Sequence, residues 1–542
     1  MVQGDRRESG TDSAESKTPC MRGNSMRENR ESPQAPEGHQ PEGRPVKAIG
    51  RKTGMNASGQ SDGSVVPTKR ANKAGKPVAE SVEGRGPANG NTPEEAACRT
   101  QNRSRASIGL VGVREAAKRD RKQRFTTLLH HITPELLAEC FHALKKHAAP
   151  GLDGMVWSEY RKDLDRRLED LHGRIHRGSY RASPSKRVWI PKGPDERRPL
   201  GIACLEDKIV QQAVVTVLNQ IYEVDFCGFS YAFRENRSPH RALDAVTVGI
   251  ERRKVSWVLD ADIRGFFDTI DHAWLIRFLE HRIADRRILR LIQKWLRVGV
   301  SEDGEWSKTT VGTPQGAVIS PLLANVYLHY VLDLWVDDWR RRHAEGEVIF
   351  VRYADDFILG FQHRHDAEGF LSALRERLQE FGLEIHPDKT RLLEFGRFAA
   401  ANRADRGEGP PETFDFLGFT HCCGKTRTNH RFCVERRPSR KRVRRKLSEL
   451  KDELRRRMHL PLGEQGKWLK AVVQGWLNYY AVPRTIRRLD AFRKQVTYLW
   501  RQTLSRRSQK GTIPWERFGR YTDRWIPKAR ILHPYPHDRL RV

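Results

Sequence analysis

Residues 348–360 read Val-Ile-Phe-Val-Arg-Tyr-Ala-Asp-Asp-Phe-Ile-Leu-Gly, and two adjacent carboxylates interrupt an otherwise apolar run. The β-branched and aromatic content predicts strand, yet successive side chains of a strand point to opposite faces. Tyr353 would share one face with Asp355, and Ala354 the other with Asp356, so the two acids cannot both reach a single polar side. A hairpin resolves the conflict: VIFVR pairs with FILGF and the aspartates sit at the tip. Such a tip concentrates negative charge, which is tolerable only where a cation can sit. An isolated Asp-Asp, such as Asp337-Asp338 in VDDW, reads instead as a turn or a solvated face.

A second acidic segment strengthens the functional reading. Residues 255–272, VSWVLDADIRGFFDTIDH, form an apolar strand pattern ending in Asp260 and Asp262, then Phe266-Phe267, then Asp268 and Asp271 around a helix start. Two acidic strand ends brought together make an oxygen-rich cage of the kind Mg²⁺ prefers. A pair of such ions about 4 Å apart activates the entering oxygen and stabilises the leaving one in attack on a phosphate. Asp260 and Asp262 are two residues apart and point the same way, so spacing does not choose between them.

Composition points to a polyanionic partner. The 542 residues carry 99 Lys+Arg against 68 Asp+Glu, a net charge of +31. That excess attracts nucleic acid over long range and gains affinity by releasing counterions. No apolar run approaches the ~18 residues of a membrane span, and MVQGDRRESG lacks the apolar core of a signal peptide. A cytoplasmic protein, nucleoid-associated when acting on DNA, is expected. Eight cysteines in a chain this long make no disulfide framework. The cluster HCCGKTRTNHRFC places Cys422 and Cys423 on opposite sides of a strand, which favours a hairpin with a Gly-Lys turn over a zinc site.

Along the chain, residues 1–107 are rich in Gly, Ser, Pro, Asn, Arg and Glu, and the first aromatic is Phe125. Such a segment cannot bury enough surface to offset chain entropy, so a disordered basic arm is expected there. Thr133-Pro134 opens a helix with Leu136, Leu137, Cys140, Phe141 and Leu144 on one face. From Trp157 to about Leu393, runs such as KRVWIPK alternate with helical patterns such as KIVQQAVVTVLNQIY, which indicates a mixed α/β domain. Beyond Pro438 the pattern becomes helical, with Leu and aromatic stripes on dense positive charge. A separate helical domain is expected over 438–515, and an irregular tail over 516–542.

These motifs together resemble a reverse transcriptase. YADD lies in a hydrophobic hairpin, with DIRGFFDTIDH about ninety residues before it and GTPQGAVISPLLANVYLH between; GLEIHPDKTRLLEF and FDFLGFTH follow in the same order. Upstream, AAPGLDGMVWSEY, KRVWIPKGPDERRPLGIACLEDKIVQQAV and GFSYAFRENRSPHRAL resemble the variant encoded by bacterial group II introns; downstream, QGWLNYY resembles its maturase, or thumb, domain. The resemblance implies a right-hand polymerase of α/β (α+β) class, with fingers and palm over 108–425 and an all-α thumb over 438–515.

It further implies site residues and partners. Asp262, preceding the aromatic pair, would bind metal with Asp355 and Asp356, and two Mg²⁺ would serve as cofactors. Phe267 matches the bulky position that rejects a ribose 2′-OH, Gln315 lies by the nascent base pair, and Lys192, Arg198 and Lys389 match groups near the triphosphate. By charge alone Lys192 and Arg198 would read as solvated; Phe266 or Phe267 as plain core; Pro314 and Gln315 as a helix cap. Arg444, Arg445 and Lys446, with Trp476, Tyr479 and Tyr480, are expected to grip nucleic acid. The implied partners are group II intron RNA, an RNA template with a DNA primer, dNTP and target DNA, with no membrane. No cysteine follows Cys433, so the Cys/His nuclease domain of many members is not expected, and the primer would come from elsewhere. Two rivals differ in kind: a splicing-only RNA-binding maturase, and an intron-free reverse transcriptase of a defence or diversifying system.

Overall fold

The structure is a computed structural model, and it describes residues 109–191, 197–302, 305–307, 311–313, 315–507 and 513–540. The arm expected over 1–107 lies outside these residues, as does Lys192. All that follows concerns the unit spanning Asn56–Val542.

Eleven described strands form three sheets. β1 (Ser185–Pro191), β2 (Arg197–Ile202), β4 (Val300–Glu302) and β5 (Glu305–Ser307) make one, in the order β2-β1-β4-β5. The central sheet runs β6 (Val348–Tyr353), β7 (Asp356–Phe361), β3 (Trp257–Asp262), β8 (Arg391–Glu394). The third combines β9 (Phe414–Phe416), β10 (Phe419–Lys425) and β11 (Phe432–Pro438). β10 and β11 pair as a hairpin with Cys423 opposite Val434 and Gly424 opposite Cys433, so the Cys/His cluster is spread along a ladder.

The central sheet is buried on both faces, which is why its strands read as continuous apolar runs. Phe350, Phe357, Leu359 and Phe361 join a core shared with the long helix α1 (Leu205–Asp225) and the helices around it. Val258, Ile349, Val351, Ile358 and Leu393 face a second core, built with α2 (Pro239–Arg252), β9–β11 and the helices that follow. Gly249 on α2 lets the helix close on the sheet, since a Cβ there would stand 2.7 Å from the Ile349 side chain.

Beyond β11 come α3 (Arg440–Arg456), α4 (Leu462–Tyr480) and α5 (Ile486–Ser505). The expected GKWLK-to-RQTL helical stretch is broken between Tyr480 and Ile486, where Pro483 cannot continue a helix. One expectation fails in this region. The stretch read as an irregular tail carries an 11-residue helix, α6 (Trp515–Trp525), and a short one over Pro536–Arg539. Its apolar residues anchor it: Phe518 is fully buried with its ring 5.4 Å from Trp500, and Trp525 lies against Gly466, where a Cβ would be 2.5 Å from the indole. Arg539 bonds Asp244 of α2 at 2.8 Å. No described helix is long and apolar enough to cross a membrane.

If α6 is integral to this core, Phe518→Ala should destabilise the protein by about 3–5 kcal/mol. Urea unfolding followed by tryptophan fluorescence checks this; an unchanged midpoint would show that the segment is peripheral.

Candidate active site

The site is built by strand register. β3 pairs antiparallel with β7 so that Asp262 lies opposite Asp356, and β6 pairs with β7 so that Tyr353 lies opposite Asp356. Ala354 and Asp355 form the connecting turn. The backbone N–H of Ile263 donates to the Asp355 carbonyl at 3.3 Å, which ties the hairpin tip to the end of β3. Asp262, Asp355 and Asp356 are thereby brought together from two distant segments.

Asp260 has a different environment. It faces Arg391 across β3–β8, and its carboxylate lies 3.6 Å from that guanidinium. Burial raises its pKa to about 6, opposed by Arg391 and reinforced by the charges of Asp415 and Asp262. Asp262 lies at the strand end, and Lys389 Nζ donates to its Oδ2 at 2.5 Å. Burial and the Asp262 charge hold the Asp355 carboxyl above its ordinary value, while Arg198 and Lys389 oppose them. Asp356 is pushed well above its ordinary value by burial and then by Asp260, Asp262 and Asp355, with Arg442 of α3 opposing.

Other residues expected at the site lie close by. Gln315 accepts from Arg198 Nε at 2.5 Å and donates to both Asp268 carboxylate oxygens at 3.2 Å. Its carbonyl accepts from Gly201 N of β2 at 2.6 Å, so the β2 strand is tied to the Gln315 loop. Phe266 and Phe267 occupy a single helical turn, not an extended segment; Phe266 is 1% exposed in the core and Phe267 half-buried. Asp271 caps the next helix by accepting from Trp274 N at 2.7 Å.

The residues expected to hold nucleic acid divide. Arg444 and Arg445 are exposed on α3, and Lys446 is half-buried beside Glu449 at 3.3 Å. Tyr480 is instead buried, while Trp476 and Tyr479 are half-buried against protein. Trp476 stacks on Phe492 at 4.5 Å, the Tyr479 hydroxyl donates to the Leu417 carbonyl at 2.7 Å, and Tyr480 is buried against Phe419. Their stripe lines the seam between α4 and its neighbours, so as a nucleic-acid contact the buried Tyr480 is withdrawn. Sequence reasoning also passed over Arg352, a fully buried guanidinium inside the opening stretch. The visible signal was a charge among apolar residues.

The donor set suits a hard cation. No three His, Cys, Asp or Glu side chains among the described residues form a ready-made metal cluster. Mg²⁺ does not require one, since it keeps waters and is bound through one or two carboxylates plus substrate phosphates. Half-buried carboxylates set close to one another, with an ammonium already on Asp262, are the electrostatic complement of such an ion.

A buried acidic strand end beside a hairpin tip, faced by cations from neighbouring segments, has the arrangement of a nucleotide-polymerising palm. The family profile described as reverse transcriptase (RNA-dependent DNA polymerase) matches residues 190–421. Protein YkfC of Escherichia coli is 32% identical over 316 residues, covering 51% of this chain and 81% of that protein. The group II intron-encoded protein LtrA of Lactococcus lactis is 35% identical over 207 residues, 38% of this chain and 34% of LtrA. A 91 kDa protein in the cob intron of Schizosaccharomyces pombe is 38% identical over 262 residues, 39% of this chain and 32% of that protein. The chain thus spans about a third of these two intron-encoded relatives. It belongs to the reverse transcriptase family, in the branch of group II intron-encoded reverse transcriptase/maturases. Reverse transcriptases generally use divalent metal ions.

The raised Asp260 pKa has a consequence for stability. Its folded value of about 6 exceeds the ordinary 3.8, so its stabilising contribution is complete below pH ~4 and lost as pH rises through 6. In divalent-free buffer, Asp260→Asn should be more stable than wild type by about 2–3 kcal/mol at pH 7, with the gap closing below pH ~4. Denaturant titrations at several pH values measure it; a gap independent of pH would contradict the assignment.

Proposed function

We propose that the chain is an RNA-dependent DNA polymerase that also acts as a maturase, binding its intron RNA to promote splicing and retrohoming. The observation that carries the polymerase reading is the convergence of Asp262, Asp355 and Asp356, with Lys389 bonded to Asp262 and Arg198 bonded to Gln315. In this reading a primer 3′-OH attacks the α-phosphate of a dNTP, and pyrophosphate leaves. Asp262 and Asp355 would hold two Mg²⁺, with Asp356 beside them. When bound, the metals supply Lewis-acid stabilisation of the entering and leaving oxygens.

The chain's own groups do the rest. Arg198 orients the triphosphate by charge and by its fork of N–H donors. Lys389 stands where it can meet the same phosphates once a metal takes its place on Asp262. Gln315, held by Asp268 and Arg198, supports the nascent base pair. Phe267 bars a 2′-OH by bulk and so selects deoxynucleotides. For the maturase role, the exposed Arg444 and Arg445 with Lys446 grip RNA phosphates, and the RNA supplies the splicing chemistry. The names of the relatives, group II intron-encoded protein LtrA among them, support that second role. Target DNA would be met as the acceptor of the copied intron.

Primer extension on an RNA template tests the first role. Asp355→Ala or Asp262→Ala should lower it by at least roughly 10²–10³-fold while RNA affinity is kept; undiminished cDNA from either variant would refute the assignment. Phe267→Ala should admit ribonucleotides, read as rNTP incorporation against dNTP. Reversing charge at Arg444, Arg445 and Lys446 should weaken RNA binding uniformly across sequences and flatten its salt dependence by about one unit of log–log slope per lost contact. Filter binding at physiological salt decides, and unchanged affinity would reject this surface.

A further inference from the structure

Behind the acidic tip lies a polar cluster that the assignments above leave without a task. Arg352 precedes Asp355 by three residues, and its side chain and that of Asp333 are both 0% exposed. Every guanidinium donor is used. Nε and Nη2 bond the two Asp333 oxygens at 2.6 Å each, and Nη2 also reaches Ser230 Oγ at 2.8 Å. Nη1 reaches Asn325 Oδ1 at 3.2 Å and the Ala354 carbonyl at 3.1 Å. Asn325 is itself fixed through Nδ2 to the Ala232 carbonyl at 2.8 Å. The backbone of Arg352 is held as well, donating to the Phe229 carbonyl at 2.9 Å and accepting from Tyr231 N at 3.0 Å.

Two features point past plain stability. Asp333 closes a π-helical turn, His329–Asp333, set between the helices Ser320–Leu328 and Leu334–Arg342. Such turns are uncommon and recur at functional sites. Ala354, whose carbonyl Arg352 holds, has φ +59°, a conformation that residues with a Cβ adopt rarely and that surrounding structure must enforce. Ala354 and Asp355 are the two residues of the hairpin turn, and each carbonyl is tied: the first to Arg352, the second to Ile263 N at the end of β3. A buried ion pair is seldom the most stable way to fill such a space, because apolar side chains of similar size often serve equally well. Its fork, however, reaches a backbone carbonyl that apolar side chains cannot hold.

We propose that Arg352 is a positioning residue for DNA synthesis: anchored by Asp333, it holds Ala354 in the left-handed conformation and so fixes the Asp355 carboxylate relative to Asp262. This inference rests on the polymerase reading. It acts through the hairpin and requires no contact between Arg352 and substrate.

Two variants test it in steady-state primer extension on an RNA template, with folding followed by circular dichroism. Arg352→Lys keeps the charge facing Asp333 but loses the fork that also reaches Ala354. The double variant Arg352→Met/Asp333→Leu removes both charges and the carbonyl contact together, the change that buried pairs tolerate best. Each should fold and bind RNA as wild type does, with kcat down about 10–100-fold and KM for dNTP changed less than about threefold. The Mg²⁺ concentration for half-maximal rate should rise several-fold, because the carboxylates are no longer held in register. Wild-type kcat in either folded variant overturns the proposal, as does a loss confined to KM or to RNA affinity. Failure of both variants to fold would show the cluster to be structural and overturns it too. Wild-type protein without RNA-templated synthesis would remove the polymerase reading itself; active wild type with equally active variants removes the positioning role alone.

Discussion

Like charge pressed together inside a sheet is the constraint to which the rest of the site answers. The β3–β7 register sets Asp262 opposite Asp356, with Asp355 beside them and Asp260 two residues back. Directly opposed residues of an antiparallel pair are about 4.5–5.5 Å apart at Cα. Two unit charges at ~5 Å repel by about 3 kcal/mol at an effective dielectric of ~20. Burial of the sheet on both faces limits the water that would otherwise screen the half-buried Asp262, Asp355 and Asp356 carboxylates. Burial first, and the neighbouring carboxylates second, hold the Asp355, Asp356 and Asp260 carboxyls above their ordinary values.

Relief comes from parts of the chain far apart in sequence. Arg391 answers Asp260 from the neighbouring strand, Lys389 answers Asp262 from the segment before it, and Arg198 approaches from the β1–β2 hairpin. Arg442 contributes from α3, beyond the last strand. The acidic end therefore couples two sheets and a helix: it is comfortable only when the β2 edge, the central sheet and the first helix after β11 are all in place. On the proposed polymerase reading, a substrate bringing its own cations would enter a field already shaped for it.

Much of this was legible in the sequence, for reasons that can be named. The hairpin could be read because period-two alternation and two adjacent acids cannot coexist in one straight strand. Asp260 and Asp262 could not be separated, because what distinguishes them is the pairing of β8, which puts Arg391 opposite one and leaves the other at the strand end. Tyr480 was misread because a helical stripe shows that a face is covered without showing by what. Here Phe492, Phe419 and Leu417 cover it. In the tail, Trp515, Phe518, Tyr521 and Trp525 do follow helical spacing, but dense charge and flanking prolines obscured them. Arg352 was overlooked since a lone cation in a strand looks like an interruption, and the four residues its side chain bonds lie up to 122 positions away.

The burial of Tyr480 also bears on how RNA would be held. With Tyr480 committed to the core, α3 itself offers charged forks and ammonium groups and carries no aromatic residue of its own. Contacts of that kind fall on phosphates, which carry position but no sequence information directly. On the proposed maturase reading, then, discrimination of the intron from other RNA arises from where a folded RNA places its phosphates relative to a rigid helix, not from bases read along it. Rigidity is supplied from within: the aromatics of α4 tie it to α5 and to the β9–β10 turn, and α3 packs on α5. Core and interface are thus two sides of one device, in which apolar residues fix the geometry that charged ones present.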